Sequence, residues 1–208
     1  MAAERSRQGD GGIGTARLET FSDGVFAIAA TLLIIEVGVD ERGRSLSDAL
    51  LQAWPSYVAY AISFLTIGII WVNHHTVFAQ IGAVDRAFLF INIGFLMLVA
   101  FIPFPTELVA AHLREEDARA AALTYGLTLT GTALLYSALW FYAALGGRLI
   151  RADADQRIVR GISRSYLPGP WIYGGATLVA LVSATTSIVL FGAIALFYVL
   201  ESSVFARE

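Results

Sequence analysis

The sequence predicts an all-α membrane protein with six transmembrane helices per subunit, and three observations lead there. Of its 208 residues, 57% are hydrophobic and 15% charged, with a mean hydropathy of +0.67. That leaves too little polar surface to cover a water-soluble globule. The apolar residues come in long runs, each near the roughly 20 residues that carry a helix across about 30 Å of hydrocarbon. The arginines between those runs are unevenly distributed, as an oriented membrane chain requires.

Taken in order, residues 1–16 (MAAERSRQGDGGIGTA) are polar and glycine-rich and read as a flexible cytoplasmic N-terminus. Residues 17–205 read as a single transmembrane domain. Its first run, near 20–38, lacks a small-residue cleavage pattern and precedes further spans, so it is a retained helix and not a signal peptide. The second, near 54–78, opens with Trp54 and Tyr57 as interfacial anchors and with Pro55 suited to a first helical turn. The third, near 87–104, ends at Phe101-Ile102-Pro103-Phe104-Pro105, where two prolines argue against further regular helix. The fourth covers 120–145. From Tyr166 to Phe205 the chain has about twice the length of one span. The polar run Ser183-Ala184-Thr185-Thr186-Ser187 divides that stretch into spans near 166–182 and 186–205.

Arginine placement sets the orientation. With both termini cytoplasmic, the inner segments hold ten arginines (5, 7, 17, 86, 148, 151, 157, 160, 164 and 207) and the outer loops four (42, 44, 114 and 119). This satisfies the positive-inside tendency. All 14 basic residues are Arg, which suits a GC-rich prokaryotic genome, and the expected location is the bacterial plasma membrane. A net charge of −3 with no basic, aromatic-interleaved patch excludes nucleic acid as a partner. The absence of cysteine excludes disulfides, thiolate metal sites and a cysteine nucleophile. No spacing supplies a nucleophile with its base, so no enzyme is expected.

The motif-bearing segment is Arg17-Leu18-Glu19-Thr20-Phe21-Ser22-Asp23 at the head of the first span. Trp71-Val72-Asn73-His74-His75 closes the second, and Asn92 and Phe101-Ile102-Pro103-Phe104 mark the third. Through these three spans the sequence resembles the transmembrane-protein-175 family of potassium channels, found in endolysosomes and bacteria. The resemblance implies a homotetramer of six-helix subunits around one pore lined by the first helix, without a Thr-Val-Gly-Tyr-Gly filter. It also implies that Ile28, Leu32 and Ile35 form hydrophobic constrictions and that Thr31 offers hydroxyls to the ion. The nearest filter-like string, Thr124-Tyr125-Gly126-Leu127-Thr128, lacks the filter's order and reads as small-residue helix packing.

Helical periodicity places Ile28, Thr31, Leu32 and Ile35 within about 100° of arc, one face of the first helix. Such a face can narrow a path and gate it by dewetting, or it can simply face lipid and neighbouring helices. Thr31 can serve an ion or bond back to its own backbone. Asp23 falls some 140° from this face, so it is expected to turn towards a protein partner.

Under the predicted orientation Arg17 to Asp23, Trp71 to His75 and Asn92 share the cytoplasmic layer. Trp71 and His75, four apart, share a face and can offer donors to Ser22, Asp23 or Asn92. The signature Arg17, Phe21, Ser22, Asp23 with Trp71, His74, His75 and Asn92 is therefore read as a latch buried in the subunit. The histidine pair is open to three roles, namely structural hydrogen bonding, proton transfer or metal binding; the last lacks further ligands. Glu36, Asp40 and Glu41 form either a negative outer mouth or a solvated loop, with Arg42 and Arg44 cancelling much of the field. The expected function is a leak-like potassium channel with no cofactor, passing monovalent cations through a homo-oligomer in a lipid bilayer. The alternative is a proton-coupled secondary transporter using the Asp/His network.

Overall fold

The computed structural model describes residues 15–39, 43 and 45–205, with side chains to residue 200. Its regular elements are helices: α1 (Thr15–Leu32), α2 (Leu46–Gln52), α3 (Trp54–Phe78), α4 (Arg86–Phe101), α5 (Pro103–His112), α6 (Ala118–Ala144), α7 (Gln156–Tyr166), α8 (Gly169–Val179) and α9 (Ala184–Phe205). An isolated antiparallel bridge pairs Ile81 with Ile150. Three stretches are long and apolar enough to cross a membrane: Trp54–Phe78, Arg86–His112 and Ala118–Gly147, with a shorter apolar helix at Ala184–Leu200.

The central element is α6, which packs against α4, α5, α7, α8 and α9. Its buried residues include Ala121, Ala122, Leu129, Leu139, Trp140 and Ala143. Close approach to α8 is bought with a glycine: a Cβ on Gly126 would lie 2.6 Å from Thr177 Oγ1. Small-residue contacts of this kind drive helix association where lipid removes the hydrophobic incentive. Beside it the hydroxyls of Thr130 and Thr177 meet at 2.9 Å. A second hydroxyl cluster ties three helices together, with Ser63 Oγ 2.8 Å from Thr106 Oγ1 and 3.0 Å from the hydroxyl of Tyr125.

The chain departs from the expected elements in three places. Helix α1 begins at Thr15 and ends at Leu32, where residues 20–38 were expected. Beyond Leu32 the backbone tightens into successive i→i+3 bonds, Ile34 N to Thr31 O, Ile35 N to Leu32 O, Glu36 N to Leu33 O and Val37 N to Ile34 O. The prolines at 103 and 105 do not end the third span. Ile102 keeps right-handed helical dihedrals, and Pro103 opens α5 at its first turn, where a missing N–H costs no hydrogen bond of that turn. Finally, the arginine-rich segment after α6, expected to be a loop, contains a helix, α7, whose N-cap Asp155 accepts from Arg157 N at 2.7 Å.

Asp85 caps α4 by accepting from Phe88 N at 2.9 Å, and it also accepts from the Tyr142 hydroxyl at 2.7 Å. These two bonds, the backbone one first, hold its carboxyl below the usual carboxylate range. Gly82 N donates to Leu149 O at 2.8 Å and Arg151 N to Gln80 O at 2.9 Å, so the α3–α4 loop is laced to the segment after α6.

Candidate functional site

Helix α1 packs on α3 and α4 along one stripe, Leu18, Ser22, Phe26 and Ala29, continued by buried Leu33. These positions recur at helical spacing, so the side chains on the opposite side of the helix point away from the subunit. Ile28 is 61% exposed, Leu32 40% and Ile35 72%, with Thr31 exposed between them. Ile28 and Leu32 are a turn apart on regular helix. Ile35 lies in the i→i+3 segment, where side chains three apart eclipse, so it stands above Leu32. The Thr31 hydroxyl donates to Ile28 O at 3.0 Å, which leaves its oxygen lone pairs as the free function.

A polar chain anchors the buried stripe. Ser22 Oγ donates to Leu18 O at 2.8 Å, so it must accept from Asn92 Nδ2 at 3.2 Å. The Asn92 amide is thereby oriented with Oδ1 towards His74 Nε2, 3.2 Å away, and an acceptor-only oxygen requires the proton on Nε2. The His74 ring is boxed by aromatics, stacked on Phe78 and Phe95 with centroids at 4.1 and 5.8 Å and edge-on to Phe26 at 5.4 Å. Ser22, His74 and Asn92 are all buried. At the surface beside this chain, Trp71 Nε1 donates to Asp23 Oδ1 at 2.9 Å.

The signature is thus split between inside and outside. Ser22 faces the core, but Arg17, Phe21 and Asp23 are exposed, which corrects the reading of the whole run as a buried latch. The reason is periodicity: with 18, 22 and 26 buried, positions 17, 21 and 23 fall on the helix's other sides. Similarly, His74 and not His75 turns inwards, because Trp71 and His75 share the exposed side of α3. No cluster of three or more His, Cys, Asp or Glu suited to a metal occurs among the described residues.

At the opposite end Glu36 lines a cavity of about 600 Å³ with Glu107, Arg114 and Glu115. Arg114 sits over the Trp54 ring at 4.7 Å, and His112 Nδ1 is 2.8 Å from Glu115 Oε2. Asp40, Glu41, Arg42 and Arg44 lie outside the described residues. The hydroxyl triad Ser63, Thr106 and Tyr125 was not singled out from the sequence. Its signal is three polar residues inside otherwise apolar runs.

The family described as "Endosomal/lysosomal potassium channel TMEM175" matches residues 17–103, the stretch holding most of α1, the His74–Asn92–Ser22 chain and Pro103. A protein of Streptomyces collinus named a potassium channel is 42% identical, over 88% of this chain and 91% of its own length. One of Chamaesiphon minutus, also named a potassium channel, is 39% identical over 91% of this chain and 95% of its own. The crystal structure of a lysosomal potassium-selective channel TMEM175 homologue from Chamaesiphon minutus superposes with a TM-score of 0.82, at 37% identity, covering 90% of this chain and 97% of that one. This chain belongs to the TMEM175 family.

Proposed function

We propose that this chain is the subunit of a potassium-permeable, leak-like channel, assembled as a homotetramer of six-crossing subunits with α1 around the pore. The observation that carries this reading is the outward face of α1. Ile28, Leu32 and Ile35 stand exposed at one azimuth while the opposite stripe is packed on α3 and α4. One such face encloses nothing, so a path requires several copies. Relatives covering nine-tenths of this chain are named potassium channels, which supports the choice of ion.

Copies of the three aliphatic side chains around an axis form stacked apolar rings, which disfavour liquid water and gate by dewetting. Thr31, whose proton is committed to Ile28 O, turns oxygen lone pairs to the same path and replaces part of a cation's hydration. The chain orients in the plasma membrane with both termini cytoplasmic, as the arginine distribution favours. Asp23 and the Ser22–Asn92–His74 chain hold α1 in place and lie off the ion path.

Purified protein in liposomes is expected to pass potassium passively down its gradient, and Ile28→Asn to raise that flux. Absence of flux in both forms overturns the channel reading. Saturable uptake driven by a proton gradient would replace it with the transporter.

A further inference from the structure

Helix α1 is regular from Thr15 to Leu32, so its period assigns an azimuth to every residue on the cytoplasmic side of Ile28. Phe21, seven residues earlier, lies about 20° from Ile28 in azimuth and about 10 Å from it along the axis. Its ring is 57% exposed, and the α1 ring that packs inside the subunit is Phe26, on His74 and Phe95. Gly24, four residues before Ile28, lies about 40° to the other side and about 6 Å away. The outward face of α1 thus continues past its aliphatic positions towards the cytoplasm as a glycine and an aromatic.

The glycine narrows the interpretation. It is exposed, and a Cβ built on it meets nothing within 4 Å, so packing inside the subunit does not require it. A glycine within a helix weakens that helix relative to alanine. The reason for it therefore lies outside the subunit, on the side that faces other copies and the path. With α1 around an axis, Phe21 forms a ring of aromatic side chains, Gly24 a layer without side chains, and Ile28 the first aliphatic narrowing. The result is a chamber open to the cytoplasm and wide at Gly24. Aromatic faces attract cations through their quadrupole, and quaternary ammonium ions are the ligands that such rings characteristically hold. Arg17 is exposed one turn nearer the cytoplasm and within about 20° of Ile28, so it puts like charge at the entrance. Helical side chains lean towards the helix start, which sets its guanidinium on the aqueous side of the Phe21 ring.

We propose that this chamber binds a quaternary ammonium cation arriving from the cytoplasm and that the bound cation blocks the path. Its charge lies among the Phe21 rings, and an alkyl arm fills the Gly24 layer against Ile28. The proposal rests on the channel reading and on its orientation.

The test is potassium current through the full chain in excised membrane patches, with tetrapentylammonium applied to the cytoplasmic face and, separately, to the outer face. Block is expected from the cytoplasmic face only. Phe21→Leu keeps an apolar side chain and removes the π face, so it should raise the half-blocking concentration about two- to fivefold, the usual strength of an exposed cation–π contact. Phe21→Tyr should keep the native block. Gly24→Val, which fills the wide layer, should weaken it, and Arg17→Gln should strengthen it. Each variant is scored against its own unblocked current. No block from the cytoplasmic face overturns the proposal, as does native block in both Phe21→Leu and Gly24→Val, the result expected if Phe21 packs between copies of α1. If Phe21→Leu carries no current, the other two variants decide: native block in Phe21→Tyr with weakened block in Gly24→Val supports the proposal, and any other pair overturns it. Absence of potassium current before ammonium is added sinks the channel reading and this proposal with it, whereas current that tetrapentylammonium leaves unblocked sinks this proposal alone.

Discussion

Helix α6 and helix α1 solve opposite problems with the same helical period. α6 contacts five other helices and buries a broad face, about 160° of arc from Ala121 through Trp140 to Ala143, with Leu127, Leu134 and Phe141 outside. α1 buries a single stripe and leaves Phe21, Ile28, Leu32 and Ile35 outside. A helix with a broad packed face can organise a core, and one packed along a narrow stripe keeps most of its circumference free. The difference separates scaffold from function before any ion is considered, and substitutions on the two helices should part accordingly.

The largest loss of stability should come from Trp140→Ala, which empties a fully buried site and removes the bond to Ser163. A cost on the order of 3 kcal/mol should appear as a lowered unfolding temperature in detergent. Gly126→Ala drives a methyl into Thr177 and should cost about 1–3 kcal/mol by the same measurement. Asn92→Leu strands the Ser22 and His74 partners and should cost about 1–2 kcal/mol, loosening α1 without touching its outward face. Ile28→Asn, on that face, should shift stability by less than about 0.5 kcal/mol while changing flux. A large destabilisation there would erase the contrast between the two helices.

The smallest effect concerns pH. Asp85 has a lowered folded-state pKa, so its contribution is fully present above the ordinary carboxylate range and is lost as pH falls through the lowered value. Acid titration of Asp85→Asn against the native chain should therefore converge at low pH and diverge towards neutrality.

Hydropathy made the start of α3 legible, because its apolar run opens at an interfacial Trp54 with Pro55 behind it, but that run ends at Val72 and the helix continues to Phe78. It misled at the end of α1, where Ile34 and Ile35 stay apolar although the backbone has left the regular helix. It misled again at Pro103, since a proline that opens a turn and one that breaks a helix look alike in a single sequence. Helix α7 carries its arginines at a spacing of three and four, a helical period that charge density in a connecting segment conceals. In the site, the spacing paired Trp71 with His75, whereas His74 is the ring that reaches Asn92. Deciding that His74 and not His75 meets Asn92 required knowing which side of α3 packs, and that is set by tertiary contacts with α1 and α4.

The Ile81–Ile150 bridge has a consequence for how the molecule behaves as a chain. It closes a ring from the end of α3 round to the exit of α6 and so joins the half that carries α1 to the half that forms the scaffold. A Cβ on Gly82 would come within 3.0 Å of the Arg151 backbone, so the clasp depends on a residue with no side chain. The α3–α4 loop and the segment after α6 are therefore one mechanical part. A force or a bound partner that pulls on either loop acts on both halves at once, and a cut in one loop leaves the other still tied to the bundle.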